Sequence, residues 1–320
     1  MQSFALKCTG IAALLLVLVT ERFRPPAPAP APLPATAAEL GKLLFFDPIL
    51  SGNGQVSCAS CHKPEFAFAD NTPLSVGVDA NLTSRNTPSV MYTGKQLHFF
   101  WDGRAGSLEE QAIGPITHPK EMNLPTAQAV ARLTKHPFYA EAFDHVFQAE
   151  PDENNLCKAL ADFQRTLSTY DSPYDRFVRG DAGAMSEAAQ RGLDVYLTSN
   201  CKECHGIEGE FAKDMFANIG LYKGGDKDDV GRFAVSRDSL DLGRFKVPNL
   251  RNIVLTAPYM HDGSVSSLRE VVEFYNDPAN FSKSPNVDAA MHKQERPMNK
   301  QEIDDLIEFL HALTDKSLVK

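Results

Sequence analysis

Apolar residues return at three- and four-residue steps in some stretches of this chain and lose all periodicity in others. Leu40, Leu43, Leu44 and Phe45 follow Thr36-x-x-Glu39, a capping-box arrangement that predicts a short helix opening the folded part. From Asp47 to about Gly103, Pro and Gly recur without sustained periodicity. Such a segment is expected to wrap a bound group that stands in for a conventional core. Helical spacing returns at 107–113, 126–134, 138–147, 154–170 and 186–198, with Leu156, Leu160, Phe163 and Leu167 forming the stripe of the fourth. A last helix starts at Asn299, carries Glu302 three residues on, and buries Ile303, Leu306, Ile307 and Leu310. Period-two alternation is sparse, so the expected class is mainly α with few or no strands.

Breaks in the pattern divide the chain. Residues 1–24 combine Lys7, the apolar run Ile11–Val19, and then Glu21, Arg22 and Arg24. That run is shorter than the ~20 residues a membrane span needs and has the form of an export segment. It is either cleaved, with Ala35-Thr36-Ala37 as the nearest option, or kept as an anchor. The alternating Pro/Ala tract Pro25–Pro34 cannot pack a core, and makes 25–38 a linker. A total of 320 residues suits about two domains, and Gly180-Asp181-Ala182-Gly183 is the natural joint, giving 39–180 and 181–320.

Composition changes the picture in two ways. A net charge of -9 excludes nucleic acid as an expected partner, because phosphate binding needs a concentrated basic face. Four of the six cysteines fall in Cys58-Ala59-Ser60-Cys61-His62 and Cys201-Lys202-Glu203-Cys204-His205. C-x-x-C-H is the pattern of covalent c-type haem attachment. Two thiols add to the vinyl groups of one porphyrin, and the adjacent imidazole reaches the iron. A redox dithiol or a zinc site also uses C-x-x-C. Neither requires the following histidine, and a zinc ribbon sets its pairs far closer than about 140 residues. Two covalent haems, one per domain and each cytochrome-c-like, follow as the expectation. Covalent attachment also implies an exported, periplasmic protein. Cys8 lies in the leader, and Cys157 in a helical stretch reads as a buried thiol.

The stretch Phe100-Trp101-Asp102-Gly103-Arg104-Ala105, followed by Ser107–Ala112, Gly114-Pro115 and Glu121-Met122-Asn123, resembles the bacterial dihaem cytochrome c peroxidases and their MauG-like relatives. The likeness resumes in Val247–Asn252, Thr256–Gly263 and the last helix. It implies a peroxidatic N-terminal haem with His62 as proximal ligand, and an electron-transferring C-terminal haem held by His205. It also implies Glu121 as the distal acid–base carboxylate, Gln111 as a distal amide, Pro115 lining that pocket, and Trp101 as a conduit between the haems. Asn86, Thr256 and Pro258 match the positions of an interdomain calcium, whose hard-oxygen preference suits them. Family members are often homodimers. Asp102 and Arg104 read equally as partners of propionates, as part of the domain joint, or as an ion pair.

Two departures bear on function. The histidine that blocks the peroxidatic iron in many such peroxidases falls here on Val78, which cannot ligate. The expectation is a first haem left open in the oxidised protein. The sixth ligand of the second haem falls on Tyr275, seventeen residues after Pro258, as in MauG, with Met260 in the turn as rival. A thioether favours ferrous iron, whereas a phenolate favours ferric and higher states. The leading expectation is an enzyme that reduces hydrogen peroxide, drawing electrons from a small c-type cytochrome or cupredoxin. The alternative is a MauG-like oxidase of Tyr or Trp residues in a partner protein through a high-valent dihaem state. Third stands a dihaem electron carrier, which has no use for Glu121 and Gln111.

Overall fold

Capping decides where the helices begin. The Thr36 hydroxyl accepts from the Glu39 amide at 3.2 Å and opens a helix over Ala37–Phe46, which buries Leu40, Leu44 and Phe45. Asn299 and Glu302 form a reciprocal capping box at the head of Lys300–Ala312. The computed structural model describes residues 32–320 apart from 208, 226, 282, 294, 295, 319 and 320. The export segment expected at 1–24, and the linker expected at 25–38 as far as residue 31, lie outside the described residues.

Three elements differ from the sequence expectation. The helix expected at 107–113 runs on over Leu108–Thr117, through Pro115. Proline there lacks only the N–H that would bond the Gln111 carbonyl, and Ile116 is buried while the His118 amide closes on Gly114 at 3.0 Å. The helix expected at 154–170 stops at Arg165, because the next carbonyls serve elsewhere: Leu167 and Thr169 accept from the amide and hydroxyl of Tyr92 at 2.8 Å each. A helix over Leu268–Asn276 was not anticipated, although its signal is present in the Ser267–Glu270 capping box and in Leu268, Val272 and Tyr275 at four- and three-residue steps. Among the described residues the sheet content is one antiparallel pair, Phe216–Ala217 with Phe245–Lys246, so the mainly α class holds. Among the described residues no helix is long and apolar enough to cross a membrane.

Among the described residues two larger apolar cores form, one from Leu40 to Phe163 with Cys157 buried in it, the other from Met185 to Leu313, and a small third cluster gathers Phe99, Ala105, Leu108 and Ala161. Each of the larger two is organised by a close helix crossing. Gly41 on the first helix meets the Ala159 carbonyl of Glu153–Arg165, where a Cβ would lie 1.8 Å from the oxygen. Gly192 on Glu187–Thr198 meets the Asp305 carbonyl of Lys300–Ala312 in the same way, at 1.9 Å. Only glycine lets the backbones approach so closely.

The likeness between the halves extends to sequence register. Trp101-Asp102-Gly103-Arg104-Ala105-Gly106-Ser107-Leu108 and His261-Asp262-Gly263-Ser264-Val265-Ser266-Ser267-Leu268 are offset by 160 residues. Their backbones match: φ is +64° at Phe100 and +73° at Met260, and +67° at both Gly103 and Gly263. Isolated bridges Phe99–Ala105 and Tyr259–Val265 close the two turns, and Ser107 and Ser267 cap the helices that follow. The same offset pairs Asn86 with Lys246, Pro88 with Pro248, Gln96 with Thr256, and Pro115 with Tyr275.

Candidate active site

Each C-x-x-C-H motif forms one short helical turn at the edge of a cavity. Cys58, Cys61 and His62 border a cavity of about 630 Å³, and Cys201, Cys204 and His205 a second of about 240 Å³. The first turn closes through the His62 amide on the Cys58 carbonyl at 2.8 Å. His62 Nδ1 donates to the Phe68 carbonyl and His205 Nδ1 to the Pro248 carbonyl, each at 3.0 Å. Those bonds fix the tautomer and leave Nε2 with a free lone pair. Burial depresses the basicity of both rings, His205 down to about 4, so both are neutral, as ligation requires. Burial pushes the Cys58 and Cys61 thiols up to about 12 and 11, the reverse of a reactive dithiol or a zinc thiolate. Among the described residues no three His, Cys, Asp or Glu side chains gather to hold a metal ion. Paired free thiols beside a neutral imidazole, on the wall of a largely apolar cavity, fit covalent haem.

The first cavity also receives Gln111, Pro115 and Glu121. Gln111 and Pro115 stand one turn apart on the Leu108–Thr117 helix. The chain then folds back, with the Met122 amide on the Pro115 carbonyl at 3.1 Å and the Leu124 amide on Ile116 at 2.8 Å. This return carries Glu121 to the cavity wall. Burial raises its carboxyl above the usual range, against the opposing pull of His118 and Arg104. His118 Nδ1 lies 3.5 Å from Glu121 Oε1.

Val78 is buried, and its amide donates to the Glu121 carbonyl at 2.8 Å. Gly77 beside it leaves no room for a Cβ, which would sit 2.1 Å from the Lys120 carbonyl oxygen. His98 turns to Asp214 at 3.0 Å. Asp102 accepts from Arg85 at 2.7 Å and Arg104 at 2.9 Å, and Arg85 continues to Asp229 at 2.6 Å. The fold builds the ion pair of Asp102 and Arg104 and, through Arg85, extends it across a long sequence separation, while both residues also border the first cavity.

A thin wall borders both cavities and includes Asn86, Gln96, Trp101, Lys246 and Pro248. The Trp101 indole N–H donates to the Asn86 carbonyl at 2.8 Å. The repeat is reciprocal here: the Lys246 amide donates to the Trp101 carbonyl at 2.7 Å, and the Asn86 amide to that of His261 at 2.8 Å. Asn86, Thr256 and Pro258 all border the second cavity. The Asn86 side-chain N–H groups go to the Thr72 and Pro73 carbonyls at 3.2 Å, which leaves Oδ1 uncommitted.

Tyr275 and Met260 both reach the second cavity. Burial, with the Cys204 and Cys201 thiols, drives the Tyr275 phenol far above its ordinary range. Among the described residues nothing hydrogen-bonds its hydroxyl. In the repeat Tyr275 is the counterpart of Pro115 and Met260 that of Phe100, and both counterparts border the first cavity. Sequence reasoning missed His118, Gln96 and Lys246. Nothing marked His118, but the repeat marks the other two as counterparts of Thr256 and Asn86.

Comparison with known proteins agrees with this geometry. The family model for di-haem cytochrome c peroxidase matches residues 35–183, and that for cytochrome c matches 189–314. Methylamine utilization protein MauG of Methylophilus methylotrophus is 39% identical over 299 residues, 92% of this chain and 87% of that protein. Cytochrome c551 peroxidase of Nitrosomonas europaea is 35% identical over 283 residues, 88% of this chain and 80% of that protein. The crystal structure of a MauG-like protein associated with microbial copper homeostasis superposes with a TM-score of 0.79 at 33% identity, covering 95% of this chain and 97% of its own. With both haem motifs intact and the likeness running nearly end to end, the chain belongs to the di-haem cytochrome c peroxidase family.

Proposed function

We propose that the protein reduces hydrogen peroxide to water at a haem held by Cys58, Cys61 and His62. Electrons enter from a small c-type cytochrome or cupredoxin through a haem held by Cys201, Cys204, His205 and Tyr275. The observation that carries this reading is Glu121, a partly buried carboxylate with a raised pKa on the wall of the cavity that His62 also borders. Bound haem supplies redox-active iron at each cavity. Glu121 takes the proton from the oxygen of peroxide that stays and returns it to the oxygen that leaves. A carboxyl raised toward neutrality does both better than one fixed as an anion. Gln111 offers an amide N–H to hold peroxide in place, Pro115 narrows the pocket, and His118 beside Glu121 exchanges its proton with solvent. Each turnover consumes two electrons and two protons and yields two waters. Trp101, on the wall common to both cavities, carries the electrons across.

The same reading assigns 39–180 and 181–320 as the two haem domains. It places a calcium ion on Asn86 Oδ1 and the backbone of Thr256 and Pro258, and locates the protein in the periplasm, where haem is attached covalently. A second reading is an oxidase of Tyr or Trp residues in a partner protein. The Tyr275 phenol in the second cavity favours it, because a hard anionic ligand stabilises oxidised iron.

Peroxide added to the oxidised holoprotein, with and without reduced cytochrome c, separates the two. Rapid multiple-turnover oxidation of the cytochrome is expected, and a Glu121→Gln variant should slow it about 10²–10⁴-fold. A long-lived oxidised state with negligible cytochrome turnover would select the partner-protein oxidase. No reaction with peroxide would leave only electron carriage.

A further inference from the structure

Among the described residues Lys246 makes no ion pair. It is half-buried and borders both cavities, and its ammonium donates to Gln96 Oε1 at 2.8 Å. Among the described residues no carboxylate lies within 4.0 Å of Nζ. The other cations on the cavity walls are paired: Arg85 with Asp102 and Asp229, Arg104 with Asp102, and Arg251 with Asp175. Asp214, the one acid that acts on Lys246, is engaged by His98. Burial pulls the ammonium down to about 8. A cation in such a wall is costly unless an anion meets it, so the site implies an anion that arrives with a bound group.

The repeat places this cation in a telling position. Lys246 and Gln96 are the counterparts of Asn86 and Thr256. One end of the wall thus presents neutral oxygens, while the other holds a fixed ammonium seated on an amide oxygen. We infer that Lys246 binds a haem propionate carboxylate in the wall between the two cavities. Its charge beside the macrocycle favours the reduced form of that haem and raises its potential. The inference rests on the two-haem reading above, and both can be tested apart.

Lys246→Gln keeps a polar contact for Gln96 without the charge, and Lys246→Arg keeps the charge. A pyridine haemochrome assay of the wild-type holoprotein first counts covalent haems; fewer than two would defeat the two-haem reading itself. Spectroelectrochemical titration then reads both midpoints. In Lys246→Gln one midpoint should fall by about 59 mV, a tenfold change in the equilibrium of a one-electron couple. In Lys246→Arg it should stay near wild type, and the haem that moves identifies the propionate. Unchanged midpoints in Lys246→Gln with both haems in place would overturn the inference, as would equal falls in both variants. If Lys246→Gln does not accumulate haem, a crystal structure of the wild-type holoprotein decides. Nζ within about 4 Å of a propionate oxygen supports the assignment, and any greater separation defeats it.

Discussion

At the scale of single residues, the choice between Tyr275 and Met260 shows how far local reading reaches. Register alone pointed to Tyr275, and its place on the lining of the second cavity, with no hydrogen-bond partner among the described residues, adds a physical reason, since a phenol facing a bound group is free to ligate it. Tyr275→Phe is therefore expected to change the absorption and EPR spectra of the low-spin haem, while Met260→Leu leaves them as they are. The opposite pattern would transfer the ligand role to Met260. Val78 carries a companion expectation: with an aliphatic residue buried at the position where the resemblance would put a blocking histidine, the fully oxidised protein should show one high-spin haem by EPR. Two low-spin signals and no high-spin one would contradict it. The motif cysteines and histidines were legible because covalent chemistry dictates their spacing. His118 was not, because its contact with Glu121 exists only once the chain folds back after Thr117.

At the scale of elements, caps were the most readable feature, since Ser, Thr and Asn state locally where backbone N–H groups need an acceptor. Helix ends were less so. Arg165 ends its helix because Tyr92, more than seventy residues away, takes the next carbonyls, and no window on the sequence contains that competition. The crossing glycines were likewise invisible to periodicity, because Gly41 and Gly192 are defined by a carbonyl on another helix. They make a prediction that belongs to the elements. Gly41→Ala and Gly192→Ala each force backbones apart and should cost about 1–3 kcal/mol in denaturant titrations. Each should also disturb chiefly its own half, Gly41→Ala the His62 haem spectrum and Gly192→Ala that of His205. Equal disturbance of both haems by either variant would mean that the crossings do not act separately.

At the scale of the whole molecule, Arg251 is one of several residues that tie the two larger cores together. Its guanidinium makes two 2.9 Å bonds to Asp175 and lies over the rings of Tyr92 and Tyr170, while Nε donates to the Gly209 carbonyl at 2.8 Å. The neighbouring Asn252 donates to the Tyr92 hydroxyl at 3.1 Å and holds the Asp315 amide at 2.9 Å. Burial alone would raise the Asp175 carboxyl, but Arg251 and Ser172 more than offset this and hold it below the usual carboxylate range. A depressed native pKa contributes stability that is complete above the unfolded value of about 3.9 and is lost as pH falls through the native one. Removing the carboxylate strands a buried guanidinium, so Asp175→Ala should cost about 3–5 kcal/mol at neutral pH. Asp175→Asn should start lower than wild type and then lose less of its remaining stability below about pH 4, because the titrating group is gone. The difference between the two curves isolates Asp175 from the haem ligands, which titrate in both proteins. Parallel curves would show that the pair is not what couples the halves to acid, and would move that role to the Arg85–Asp102–Asp229 cluster.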